Sequence, residues 1–155
     1  MCSVVGEMMD LDETDVKILE TLTLDARLSS RQIARRCNVS IGTVLSRIKR
    51  MEKEGIIKGY LALLDHEKLG YELTIVTEIT VSKGRLLEVE NEIARLPNVC
   101  CVYDVTGLTD AVIIAKFKTR EELSKFTKRL LAITFVERTN THVVLTTIKE
   151  DFRLI

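Results

Sequence analysis

The apolar spacing of this chain changes period near Gly70. Before it, apolar residues recur every three or four positions; after it, runs of β-branched residues alternate with helical stretches. A helix-period pattern does not sit as a strand, nor a strand-period pattern as a helix. The chain therefore has to build a helical unit first and a mixed unit second.

In the first part, three helix starts are written in cap residues. Asp12 followed by Asp15 opens a first helix with Leu11, Ile18, Leu19 and Leu22 on one face. Ser29 followed by Gln32 is a capping-box pattern for a short helix burying Ile33, Ala34 and Cys37. Asn38 suits a left-handed turn, Ser40 an N-cap, and Gly55 the end of the third helix. At 100° per residue, Ile41, Val44, Ile48 and Met51 share a narrow arc of that helix. Gly42, Thr43, Ser46, Lys49, Arg50 and Lys53 lie opposite, with Arg47 on the flank.

Charge is segregated to match. Lys plus Arg and Asp plus Glu are both 23, but residues 1–25 hold one Lys against seven acids. Residues 26–60 hold nine basic residues against two acids. A basic block inside a neutral chain suits a polyanion, although charge alone leaves a solvated helix face equally open. Two short helices, a three-residue turn, and a second helix that is small at its start and basic further on form the helix-turn-helix pattern. Small residues let such a helix sink into a major groove, while Arg and Lys meet phosphates or base edges. The candidate DNA-binding residues are Arg31, Ser40, Thr43, Ser46, Arg47 and Arg50.

IIKGYLALLD, after Gly55, reads as a strand leaving this unit, and HEKLGYE as the joint. Then follow a strand at 73–82, a helix with Leu86, Val89, Ile93 and Leu96 inward and stopped by Pro97, and strands at 99–107 and 110–118. Between those two strands lies the turn Gly107-Leu108-Thr109-Asp110. A helix with Leu123, Phe126, Leu130 and Leu131 inward and a last strand complete the order β-α-β-β-α-β, the ferredoxin-like arrangement. The expected fold class is α+β: a (winged) helix-turn-helix over 1–60, a linker strand and hinge over 61–71, and a ferredoxin-like domain over 72–155. Both helices cover one sheet face. The other face, still bearing Val, Ile, Thr and Cys, calls for a partner, so a homodimer is expected.

With no Trp and seven other aromatics, the core has to be aliphatic. No CxxC pair exists among Cys2, Cys37, Cys100 and Cys101, and only His66 and His142 are available beside them; neither a metal site nor a cofactor is expected. All four thiols read as reduced, with Cys37, Cys100 and Cys101 assigned to packing. No apolar run reaches about 18 residues, and the acidic N-terminus does not resemble a secretory leader, so a cytoplasmic location without membrane contact is expected.

The segment from Leu11 to Asp65, above all LDETDVKIL and the run from Ser40 to Tyr60, resembles the DNA-binding half of the leucine-responsive regulatory protein/AsnC (Lrp/AsnC) family of transcription regulators. VTGLTDAVIIAKF and ERTNTHVVLTTIKE resemble its amino-acid-sensing half. The resemblance implies double-stranded DNA as partner, dimers assembling to octamers, and a free amino acid bound between dimers near the turn 107–110. Carried over, the effector residues are Gly107, Leu108, Asp110, Thr139, Thr141, His142 and Val143. Asp110 would accept from the ligand ammonium, and backbone N–H groups near Gly107 would take its carboxylate. The hydroxyls of Thr139 and Thr141 would favour a polar or small ligand side chain.

Two other classes compete. An enzyme is disfavoured, because no phosphate loop, metal cluster or nucleophile-base pattern is present and the basic block would go unexplained. An architectural DNA-packaging protein of the same fold, without an effector, is the alternative reading.

Overall fold

The computed structural model describes residues 10–154, so Cys2 lies outside the described residues. The chain forms two compact units. One ends at Leu63 and also takes in the chain from Asp151; the other is Leu64–Glu150.

The first unit is helical: α1 (Glu13–Leu24), α2 (Ser30–Cys37) and α3 (Ile41–Lys53). Asp12 caps α1 by accepting from the Asp15 amide, and the Asp15 side chain accepts in return from the Asp12 amide. Ser29 and Gln32 make the same reciprocal box for α2. Asn38 takes the left-handed conformation at φ 54° that turns the chain toward α3. Ser40 accepts from the Thr43 amide at 3.0 Å, and Gly55, at φ +73°, closes the far end. Ile18, Ile33, Val44 and Met51 are fully or almost fully buried where the three helices meet, each contributing roughly 1.5–3 kcal/mol. Ile41, placed inward by the wheel, is exposed because it stands on the first turn.

IIKGYLALLD is not a strand. A strand persists only with a ladder partner, and residues 58–65 are exposed with none. Nor does any ladder follow α3 as a wing among the described residues.

The second unit is a four-stranded antiparallel sheet, order β2-β3-β1-β4, built from β1 (Leu73–Val81), β2 (Val99–Asp104), β3 (Ala111–Phe117) and β4 (Val136–Val143). Helices α4 (Leu86–Ile93) and α5 (Arg120–Ala132) lie on one face. Odd-numbered positions of β1 and β3 point beneath them: Ile75, Ile79, Ile113 and Phe117 are fully buried with Val89, Ile93, Phe126 and Leu130. Leu131 is 58 % exposed instead of inward, because it sits about 100° around α5 from Leu130. Cys100 also departs from the packing role: the β2–β3 register shifts between Val99 and Cys101, and Cys100, at that irregularity, is exposed. Cys37 is buried as expected, and Cys37, Cys100 and Cys101 are free thiols.

The uncovered face carries the even-numbered positions of β1 and β3, among them Val76, Glu78, Thr80, Val112 and Ile114. Their register neighbours add Tyr103 from β2 and Arg138, Asn140 and His142 from β4. No described helix is long and apolar enough to cross a membrane.

Candidate DNA interface and ligand cleft

In α3, Val44 and Met51 turn inward, and the stripe Gly42, Ser46, Lys49 and Lys53 turns outward and is exposed. Ser46 donates to the Thr43 carbonyl at 3.0 Å, so its hydroxyl hugs the helix and keeps the early part of the stripe low. The hydroxyls of Ser40 and Thr43 bond each other at 2.8 Å across the helix start. Arg31, with Arg35 and Arg36, is exposed on α2.

Arg47 and Arg50 are placed differently. Both reach back to the start of α1, leaving side chains 29 % and 36 % exposed. Arg47 Nη1 donates to both oxygens of Asp15, at 3.2 and 3.0 Å, and lies 2.6 Å from Asp12 Oδ2. Arg50 Nη2 donates to Asp15 Oδ2 at 2.5 Å. The bond from the Asp15 amide and the Arg47 guanidinium hold the Asp12 carboxyl below its ordinary range, and Asp12 in turn raises Arg47. The outward charge of α3 therefore resides chiefly on Lys49 and Lys53. The signal that would have found this pairing is the early acidic pair itself, which spacing explains fully as a cap.

In the second unit, the turn at 107–110 is pinned to β1. The Asp110 amide donates to the Ile79 carbonyl at 2.9 Å, and Asp110 Oδ2 accepts from the Val81 amide at 2.8 Å. One carboxylate oxygen given to a ligand ammonium in the expected scheme is thus occupied by the backbone. Gly107 has φ +130°, a conformation that L side chains rarely adopt, and Leu108 projects entirely into solvent.

Beside this turn, on the uncovered sheet face, is an open cleft of about 230 Å³ lined by Glu78, Thr80, Leu108, Thr109, Arg138 and Asn140. Glu78 faces Asn140 and Thr80 faces Arg138 across the β1–β4 ladder. Asn140 Nδ2 donates to Glu78 Oε2 at 3.0 Å, and His142 Nε2 lies 3.9 Å from the same oxygen. Leu108 is the one residue of the expected effector set that lines the cleft.

Thr139, Thr141 and Val143 do not line it. They pair with Ile79, Thr77 and Ile75, whose side chains point under the helices, and parity puts all three on that opposite face. Thr141 Oγ1 lies 3.0 Å from Thr77 Oγ1, a bond that satisfies both hydroxyls. Sequence reasoning missed Glu78, Arg138 and Asn140. Glu78, the lone charge inside LTIVTEITV, was the available signal.

Residues 11–58 match the winged helix-turn-helix DNA-binding family, and residues 74–154 match the Lrp/AsnC ligand binding domain. An HTH-type transcriptional regulator of Pyrococcus furiosus is 49 % identical, over 94 % of this chain and 99 % of its own. FL11, an HTH-type transcriptional regulator of Pyrococcus horikoshii, is 35 % identical over 93 % and 95 %. A transcriptional regulator of Neisseria meningitidis, crystallised as its L-Met complex, superposes with a TM-score of 0.84 at 29 % identity, covering 94 % of this chain and 96 % of its own. With a DNA-binding head and a ligand-binding domain in the same order and over nearly the whole length, the chain belongs to the Lrp/AsnC family of transcription regulators, which are not enzymes.

Proposed function

We propose that the chain regulates transcription by laying α3 in the DNA major groove, under the control of a free α-amino acid bound beside the Leu108 turn. The observation that carries the DNA half is the exposed stripe Gly42, Ser46, Lys49 and Lys53. Its small side chains admit the helix backbone to the groove floor, and its lysines reach phosphates. Ser40 and Thr43, at the start of α3, and Arg31, exposed on α2, add backbone-positioning contacts. Ser46→Glu tests this placement: it sets a carboxylate in the centre of an exposed face. It should leave the melting temperature close to wild type and weaken binding of any duplex by ~10-fold or more. Unchanged affinity would contradict the docking.

The ligand half rests on the paired charges of the cleft. A zwitterion carries one carboxylate and one ammonium; Arg138 suits the first and Glu78 the second, with Thr80 and Asn140 as hydrogen-bonding neighbours. Asp110 serves by holding the turn that walls the cleft. The ligand side chain then meets Leu108 and Thr109. The preference for a polar or small side chain loses its basis, since Thr139 and Thr141 lie on the other face. The amino acid in the Neisseria relative supports the ligand class. Dimers stacking around this turn, as the resemblance implies, would close the open side of the cleft.

A thermal-shift screen of the twenty amino acids, run on wild type, Arg138→Ala and Asp110→Ala, checks this reading. A ligand that binds only the folded assembly raises the melting temperature. The shift should shrink in both variants. An equal shift in Arg138→Ala would move the ligand out of the cleft, and no shift with any amino acid would favour the architectural reading.

A further inference from the structure

We propose that Asp15 is a positioning residue for DNA recognition. It grips one edge of the Arg47 and Arg50 guanidinium groups so that their other edges are presented to the duplex in a set orientation. This rests on the docking of α3 proposed above.

Asp15 is completely buried, and its carboxylate is the point where α1 and α3 meet. It takes Nη1 of Arg47 and Nη2 of Arg50, while Asp12 takes Arg47 Nη1 from the rim at 2.6 Å. Arg50 Nε is buried and makes no hydrogen bond, with Glu54 Oε2 3.6 Å away as an ion-pair neighbour. The remaining N–H groups, Nε and Nη2 of Arg47 and Nη1 of Arg50, bond nothing among the described residues, and both side chains stay partly exposed. Capping α1 needs only one acceptor at position 15 for the Asp12 amide; it does not require a charge there. The full carboxylate matches two guanidinium groups from the helix that also carries the exposed lysines.

The physical consequence concerns selectivity. An unrestrained arginine swings to whichever phosphate is nearest and gains the same affinity on every sequence. An arginine held by one edge loses that freedom, and part of its charge is already neutralised. Its free N–H groups then discriminate between base edges, or between phosphate positions set by groove shape.

Asp15→Asn keeps the shape and an acceptor for the capping box but removes the charge. The probes are a duplex enriched from random sequence by the wild-type protein and its scrambled counterpart, titrated by fluorescence anisotropy at several salt concentrations. The expected result is tighter binding of the scrambled duplex and a log–log salt slope steeper by about 0.9 per recognition helix engaged. Preference for the enriched duplex should fall by ~10-fold or more. Asp12→Asn, which keeps an N-cap and touches only the exposed rim, should move all three readouts the same way by less, and it serves if Asp15→Asn does not fold. A merely structural Asp15 would lose affinity equally for both duplexes with an unchanged slope, and that result overturns the proposal. Ser46→Glu run in parallel separates the two claims: if it binds like wild type, the docking of α3 is wrong, whereas a weakened Ser46→Glu beside an unchanged slope in both Asp variants refutes the positioning role alone.

Discussion

Asp12 and Asp110 are both short acids at the start of an element, and the structure uses both for backbone geometry before anything else. Asp12 caps α1 and pairs with Arg47; Asp110 takes the Val81 amide and so fixes where Leu108 projects. The Asp12 pairing has a pH signature. Its folded-state pKa lies below the ordinary 3.8, held there first by the Asp15 amide and then by Arg47. A carboxyl depressed on folding contributes stability that is complete above its unfolded pKa and is lost as pH falls through the folded one. The difference in melting temperature between wild type and Asp12→Asn should therefore be constant above about pH 5 and close below 3.8. A difference that persists at the acid end would show that the charge on Asp12 contributes nothing.

At the scale of elements, helices were legible wherever a cap residue stood before an apolar stripe. Ser29, Asn38 and Ser40 each encode a bond that closes within three or four residues, so local sequence suffices. Strand facing was not legible to the same degree. That Thr139, Thr141 and Val143 share a face follows from alternation, but which face it is depends on their pairing with Ile79, Thr77 and Ile75 about 60 residues away. The pairing of Arg47 and Arg50 with Asp15 was hidden for the same reason: a wheel describes a helix alone, and their partner is on another helix. IIKGYLALLD has strand composition and no strand to pair with, which propensity cannot reveal.

The element cores make their own prediction. Met51→Ala empties a fully buried site between α3 and its neighbours and should cost ~2–5 kcal/mol, and Ile113→Ala beneath α4 and α5 a similar amount. Chemical denaturation checks both. A cost below ~1 kcal/mol for Met51→Ala would mean that the three-helix packing is wrong.

For the whole molecule, the uncovered sheet face leaves Val76, Val112 and Ile114 half-buried and Tyr103 exposed. A face of that kind is expected to meet a second copy, and light scattering at micromolar concentration should give at least twice the 17.6 kDa chain mass. A monomer would remove both the dimer and the stacked site proposed for the ligand. Two identical heads would then favour pseudo-palindromic DNA, with half-sites spaced by ~10 bp or multiples of it. The ligand's leverage over such an assembly is limited to its differential affinity for the two states, typically ~1–3 kcal/mol.

The proposed docking makes the outer face of α3 the DNA-binding surface, with its charge chiefly on Lys49 and Lys53. The direct measurement is the salt dependence of duplex binding for wild type against the double variant Lys49→Ala/Lys53→Ala. Two lost phosphate contacts should flatten the log–log slope by about 1.8 per recognition helix and weaken the enriched and scrambled duplexes alike. The same slope and the same affinity in the two proteins would mean that α3 does not meet the duplex through this face.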